Sequence, residues 1–98
     1  MAVYYIGSYD IENMELFSQY PPKVAALLPK YGGEVLASDL HAICLEGQAR
    51  TLNAIIRFPS EEAALGMFHD PLYQEEIRGI RLNSTKNIMM VLVKGRVE

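Results

Sequence analysis

Two histidines, His41 and His69, are the side chains able to move a proton near neutral pH, because imidazole alone has an unperturbed pKa in that range. His69 stands before Asp70-Pro71, a break in a helical pattern. There it could face a cavity as a general base or hydrogen-bond donor, which makes it the catalytic candidate of the chain; the structural alternative is that it ends a helix segment. His41 follows a strand and reads either as a ligand contact or as an exposed loop residue. Tyr20 and Tyr73 each lie beside a proline step, one in each half of the chain. Their hydroxyls could border one pocket, or the two rings could be core residues with hydrogen-bonded tips. Arg78, about one turn beyond Tyr73, could hold an acidic ligand or offset Glu75. Asp70 suits a helix cap better than an acid catalyst, and Cys44, in an apolar stretch, reads as a buried, inert thiol. The sequence pairs no thiol with a histidine and has no His/Cys set at metal spacing, no glycine-rich phosphate loop and no nucleophile elbow. Neither a metal nor a cofactor is expected.

The elements that must position these residues follow from periodicity. Residues 2–9 are β-branched and aromatic, which predicts a strand. Asn13 can cap a helix whose apolar positions (Leu16, Tyr20, Val24, Leu27, Leu28, Tyr31) share one face. Pro21-Pro22 suits the first turn of a new segment and not a helix interior, so two helical pieces should meet here at an angle. Gly32-Gly33 then stops the second piece in a left-handed turn. Glu34–Ser38 predicts a second strand, with Ala42–Glu46 extending or restarting it, and Leu52–Phe58 a third. Ser60, followed by Glu61 and Glu62, opens a helix that Asp70-Pro71 breaks and that resumes to about Arg81. Asn83–Asn87 reads as a loop before a last strand, Ile88–Val93. The order strand–helix–strand occurs twice, which predicts an α+β, ferredoxin-like βαββαβ domain over residues 1–98: a four-stranded antiparallel sheet with two broken helices on one face.

Two helices cover one face of such a sheet. The last strand is apolar on both faces, with Ile88, Met90 and Leu92 against Met89, Val91 and Val93, and the first strand sets Tyr4 and Ile6 against Val3 and Tyr5. A strand with one wet face should alternate instead. The open face is therefore expected to pack against its copy across a two-fold axis, giving a homodimer. Alternation in the third strand places Asn53 and Arg57 on that open face, where Arg57 would meet a carboxylate such as Glu34 or Glu46, or bind an anion.

Composition narrows the function classes. The chain has 98 residues, half of them hydrophobic, and a net charge of −3. Residues 1–76 carry 4 basic and 11 acidic side chains, while residues 77–98 carry 5 and 1. A short basic tail on an acidic protein argues against nucleic acid, whose partners present a basic domain. One cysteine allows no intrachain disulfide and fits a reducing, cytoplasmic setting. No secretory signal and no membrane span are expected, since the start lacks a basic region and the longest apolar run, Ile88–Val93, is six residues.

Two blocks carry a resemblance. One is Tyr20 followed by Pro-x-x-Ala-x-Leu-Leu-x-x-Tyr-Gly-Gly and Glu34-Val-Leu. The other is Ile-Ile-Arg-Phe-Pro-Ser-Glu-Glu-Ala-Ala from Ile55, with Met67-Phe-His-Asp-Pro-Leu-Tyr-Gln behind it. With Arg78 and Val91–Gly95, they make the chain similar to the family called domain of unknown function 1330, in the dimeric α/β-barrel superfamily of antibiotic-biosynthesis monooxygenases. The resemblance implies a ferredoxin-like protomer, a homodimer and no particular reaction. Superfamily relatives that degrade haem use a tryptophan, and this chain has none. Three functions remain: a cofactor-independent enzyme on a small aromatic or carbonyl substrate, with His69, Tyr20 and Tyr73 around it; a binder of a small molecule without turnover; and a dimerisation domain with a filled core.

Overall fold

In the computed structural model, which describes residues 1–96, the chain forms the expected double unit. The first half runs β1 (Val3–Ile11), α1 (Met14–Phe17), α2 (Tyr20–Leu27), a 3₁₀ turn (Leu28–Tyr31) and β2 (Glu34–Asp39). The second runs β3 (Leu52–Phe58), α3 (Glu61–Phe68), a π-helical turn (Tyr73–Ile77), α4 (Arg78–Ser84) and β4 (Thr85–Lys94). The sheet order is β2-β3-β1-β4, with antiparallel pairing throughout. This is the ferredoxin-like α+β arrangement.

Local chemistry explains the breaks. The Asn13 side chain accepts the Leu16 N–H at 3.0 Å and starts α1; the Ser60 hydroxyl accepts the Ala63 N–H at 3.1 Å and starts α3. Pro21 and Pro22 fall in the first turn of α2, where a missing N–H costs nothing. Gly32 adopts φ +67° and closes the 3₁₀ turn; an added side chain would be strained there and would press on Pro59. At the second break an Asp70 carboxylate oxygen accepts the Leu72 N–H at 2.8 Å. The other oxygen takes Lys30 Nζ at 3.0 Å and the Tyr31 hydroxyl. Asp70 therefore ties the two broken helices together, and these hydrogen bonds, Tyr31 first, hold its carboxyl down at about 2.

The register assigns each strand's two faces. Val3, Tyr5, Gly7 and Tyr9 of β1 lie on the helix side with Leu52, Ala54, Ile56 and Phe58 of β3. Tyr4, Ile6, Asn53, Ile55, Arg57, Val91 and Val93 lie on the other. Among the described residues no helix covers that second face, and Ile55, Val91 and Val93 remain 37%, 44% and 44% exposed.

Three expectations change. Ala42–Glu46 is irregular and not strand, since it has no neighbour to pair with, and Ile43 and Leu45 stand 89% and 91% exposed. Cys44 is consequently exposed and not buried. Asn83–Asn87 is not a loop: α4 runs to Ser84 and β4 begins at Thr85. The Ser84 and Thr85 hydroxyls bond back to the carbonyls of Ile80 and Arg81, each at 2.6 Å. The Ser84 carbonyl in turn accepts the N–H groups of Glu12 and Asn13, so the direct helix-to-strand turn has partners for end-of-helix carbonyls that would otherwise need a cap. Asn87 sits at φ 54° inside β4, a left-handed conformation that asparagine tolerates, and donates to Asp10 Oδ2 at 2.8 Å.

Candidate functional site

The helices do not close down onto the sheet. Between them lies a cavity of about 660 Å³, walled by the inner faces of β1, β3 and β4 and by both broken helices. Most of its lining is apolar, including Phe17, Leu28, Ile56, Phe58 and Met67. Exposed side chains such as Val35, Leu65 and Leu82 also border it, so it opens to solvent.

Its polar groups are concentrated. Tyr5 and Tyr9 come from alternate positions of β1, and Tyr20 and Tyr73 from the two helix breaks. The Tyr20 and Tyr73 hydroxyls share a hydrogen bond of 2.7 Å, buried and spanning the two halves of the chain. Their rings meet edge to face with centroids 6.4 Å apart, and Phe17 stacks on the far side of Tyr20 at 5.6 Å. Tyr5 lies across Gly7, where a Cβ would collide with the phenol ring. Burial and the neighbouring Tyr73 push the Tyr5 hydroxyl up to about 12. Burial likewise raises Tyr9 and Tyr20 above the ordinary phenol value. All three are neutral donors at physiological pH.

The group that sequence reasoning missed is Arg81. It is 3% exposed, lines the cavity, and its Nε has no hydrogen-bond partner. Burial works to lower its pKa, and the Tyr73 and Tyr20 hydroxyls beside it outweigh that, so the guanidinium stays charged. Arg78 lines the same cavity, half-buried, and its Nε is also buried without a partner. Ion pairs among the described residues join Lys30 to Asp70 and Lys86 to Glu12; neither arginine has one. The signal was present in the spacing. Tyr73, Ile77 and Arg81 recur at every fourth position, which puts Arg81 on the buried face of its helix. The π-helical turn at Tyr73–Ile77, a wider turn of a kind concentrated at functional sites, leads directly into the turn carrying Arg78 and Arg81.

Of the residues singled out from sequence, Tyr20, Tyr73 and Arg78 come together at the cavity. His69 does not line it: it caps the end of α3, exposed, with its ring edge-on to Phe68 at 5.4 Å, and Phe68 is itself on the lining. His41 lies outside too, exposed after β2, where its N–H donates to Asp39 Oδ1 at 2.7 Å. Arg57 is exposed on the open sheet face, opposite Glu34 in the β2–β3 register. Asn53 on that face accepts the Ser8 hydroxyl at 3.1 Å. Among the described residues no cluster of three or more His, Cys, Asp or Glu could hold a metal ion, and no helix is long and apolar enough to cross a membrane.

Solved structures share this fold at low sequence identity. A protein of unknown function from Rhodopseudomonas palustris superposes with a TM-score of 0.82 at 16% identity, covering 99% of this chain and 84% of that one. A dimeric protein of unknown function and ferredoxin-like fold from Bacteroides fragilis does so at 0.67, with 11% identity and 96% of both chains covered. A NIPSNAP-like domain protein from Burkholderia xenovorans gives 0.64, with 13% identity over 97% of this chain and 85% of that one. No curated protein matches the chain by sequence. The sequence itself matches one family model across residues 2–96, and the chain belongs to that family, the domain of unknown function DUF1330.

Proposed function

We propose that this protein binds a small organic molecule in the cavity between its helices and its sheet, and does so as a homodimer joined through the open sheet face. The observation that carries the binding reading is the cavity. Protein interiors leave few voids larger than a water molecule, whereas about 660 Å³ falls within the range of organic-ligand pockets, and convergent polar groups in an apolar lining are their usual make-up. A dimerisation domain with a filled core would have no such space. Binding without turnover is favoured over catalysis because the titratable groups on the lining are tyrosine and arginine, neither of which exchanges a proton near neutral pH at its ordinary pKa.

The dimer is supported by the uncovered face, where Tyr4, Ile6, Ile55, Val91 and Val93 lie together. Burying a large apolar side chain fully is worth ~1.5–3 kcal/mol. The similar fold from Bacteroides fragilis is described as dimeric.

Native mass spectrometry of protein purified gently from cells tests both parts. The expected spectrum is a dimer carrying a reproducible small adduct that is lost on denaturation, and Ile55→Asp should convert the dimer to a monomer. A wild-type monomer overturns the interface. A clean dimer that also binds nothing across a small-molecule library overturns the pocket.

A further inference from the structure

Resting on the binding reading above, we infer that the cavity takes an apolar or aromatic monocarboxylic acid, its carboxylate held by Arg81 and its body by the surrounding apolar wall. An ionised group removed from water must be paired, or the fold bears the desolvation cost. Arg81 is almost fully buried, yet no carboxylate lies on the cavity lining and none pairs with it among the described residues. Its neighbours are the hydroxyls of Tyr20 and Tyr73. These are dipoles: they can orient toward the guanidinium, and they leave its charge uncompensated.

The donor count points the same way. Arg81 Nε and Arg78 Nε are both buried without acceptors. Tyr5, Tyr9, Tyr20 and Tyr73 each bring one O–H, and the Tyr20–Tyr73 bond uses only one of them. The site thus holds more donors than acceptors. A carboxylate supplies what is missing, since it accepts at both oxygens and pairs with the planar guanidinium in a fork. A neutral carbonyl would satisfy one donor and leave the charge unpaired. An inorganic or sugar phosphate would bring a polar body into a wall made largely of apolar side chains such as Phe17, Leu28, Ile56, Phe58 and Met67. An almost fully buried guanidinium, Arg81, and a largely apolar lining match a carboxylate on an apolar body.

Isothermal titration calorimetry of the whole protein, unfolded and refolded to release any carried molecule, provides the test. The probes are aromatic and aliphatic monocarboxylates of increasing size, each alongside its primary amide. At least one acid should bind, with its amide weaker by about 10-fold or more, as befits loss of a charge-assisted pair. Arg81→Met should weaken the acid by roughly 100-fold and move the amide little, with Arg81→Lys in between, because lysine keeps the charge and loses the fork. Amides binding as tightly as their acids, or Arg81→Met leaving the acid unchanged, would overturn the carboxylate assignment while leaving the pocket intact. Failure of every acid and every amide would overturn the pocket reading with it.

Discussion

Replacing Arg81 by methionine should make the ligand-free protein more stable. Methionine keeps an unbranched stem of similar reach and removes the charge. Arg81 is 3% exposed, so its guanidinium has given up nearly all of its hydration, a loss whose effective size after relaxation is several kcal/mol per ion. Against that stand the neighbouring Tyr73 and Tyr20 hydroxyls, neutral dipoles that offset part of the loss. No opposite charge among the described residues adds to the credit side. Exchanges of buried ionic groups for well-packed hydrophobic ones have gained about 1–4 kcal/mol, and the tyrosine contacts place Arg81→Met toward the lower part of that range, at ~1–2 kcal/mol. An unfolding entropy of about 2.1 cal/mol/K per residue over 98 residues converts each kcal/mol into about 5 °C. The expected rise in Tm is therefore about 5–10 °C.

The assay is thermal unfolding by circular dichroism on refolded protein at one fixed concentration, because a ligand or a subunit equilibrium shifts Tm by mass action. Arg78→Met is the internal comparison: Arg78 is only half-buried, so its gain should be the smaller of the two. A fall in Tm of 5 °C or more for Arg81→Met would refute the reasoning. It would mean that the tyrosine cage fully satisfies the guanidinium and that Arg81 is a structural residue.

The Tyr20–Tyr73 pair and the Asp70 carboxylate make further predictions. Tyr73→Phe removes the 2.7 Å bond to Tyr20 and should cost about 1 kcal/mol; the double variant with Tyr20→Phe should cost less than the two singles added, and strict additivity in chemical denaturation would show that the hydroxyls are not coupled. The pH dependence has a definite sign at both ends. Tyr5 is raised in the folded state from 10.0 to about 12, so its contribution is complete below pH 10 and is lost as pH climbs toward 12. Asp70 is lowered from 3.8 to about 2, so its contribution is complete above pH 3.8 and is lost as pH falls toward 2. Phenolate absorbance followed alongside circular dichroism should find Tyr5 titrating with or just ahead of alkaline unfolding; ionisation of every tyrosine near pH 10 in the still-folded protein would contradict the buried cage.

Much of the architecture was legible because it depends on local rules. The caps at Asn13 and Ser60, the helix breaks at Pro21-Pro22 and Asp70-Pro71, and the stop at Gly32 each follow from backbone chemistry within a few residues. The alternation of β3, which sends Arg57 to the open face and Ile56 to the core, was equally plain. Where a residue's environment is set from far along the chain, sequence reasoning failed. Cys44 looked buried because its neighbours are apolar, but Ile43 and Leu45 stand almost fully exposed. The end of α4 looked like a loop because Asn83–Asn87 is polar, although Ser84 and Thr85 cap the helix with their own hydroxyls. Arg81 marked only the approximate end of a helical pattern, a common place for a cation. Its burial depends on Tyr20, 61 residues earlier in the chain numbering, and on the sheet behind it.

Arg81 and the two helix breaks make one design when considered together. A single straight helix in each half would lay a continuous apolar stripe on the sheet and fill the space between them. Pro21-Pro22 and Asp70-Pro71 interrupt both stripes at corresponding places, and the breaks deliver Tyr20 and Tyr73 to one point from opposite halves of the chain. Asp70 then fixes the separation, holding Lys30 and Tyr31 of the first half to the second break. The void is thus propped open from its edges, and the residue set at its polar end is the one buried charge that no described side chain neutralises. A fold selected only for stability would gain by straightening the helices, filling the cavity and replacing that arginine. Keeping all three features costs stability, and a ligand that occupies the space and pairs with the charge returns it by mass action.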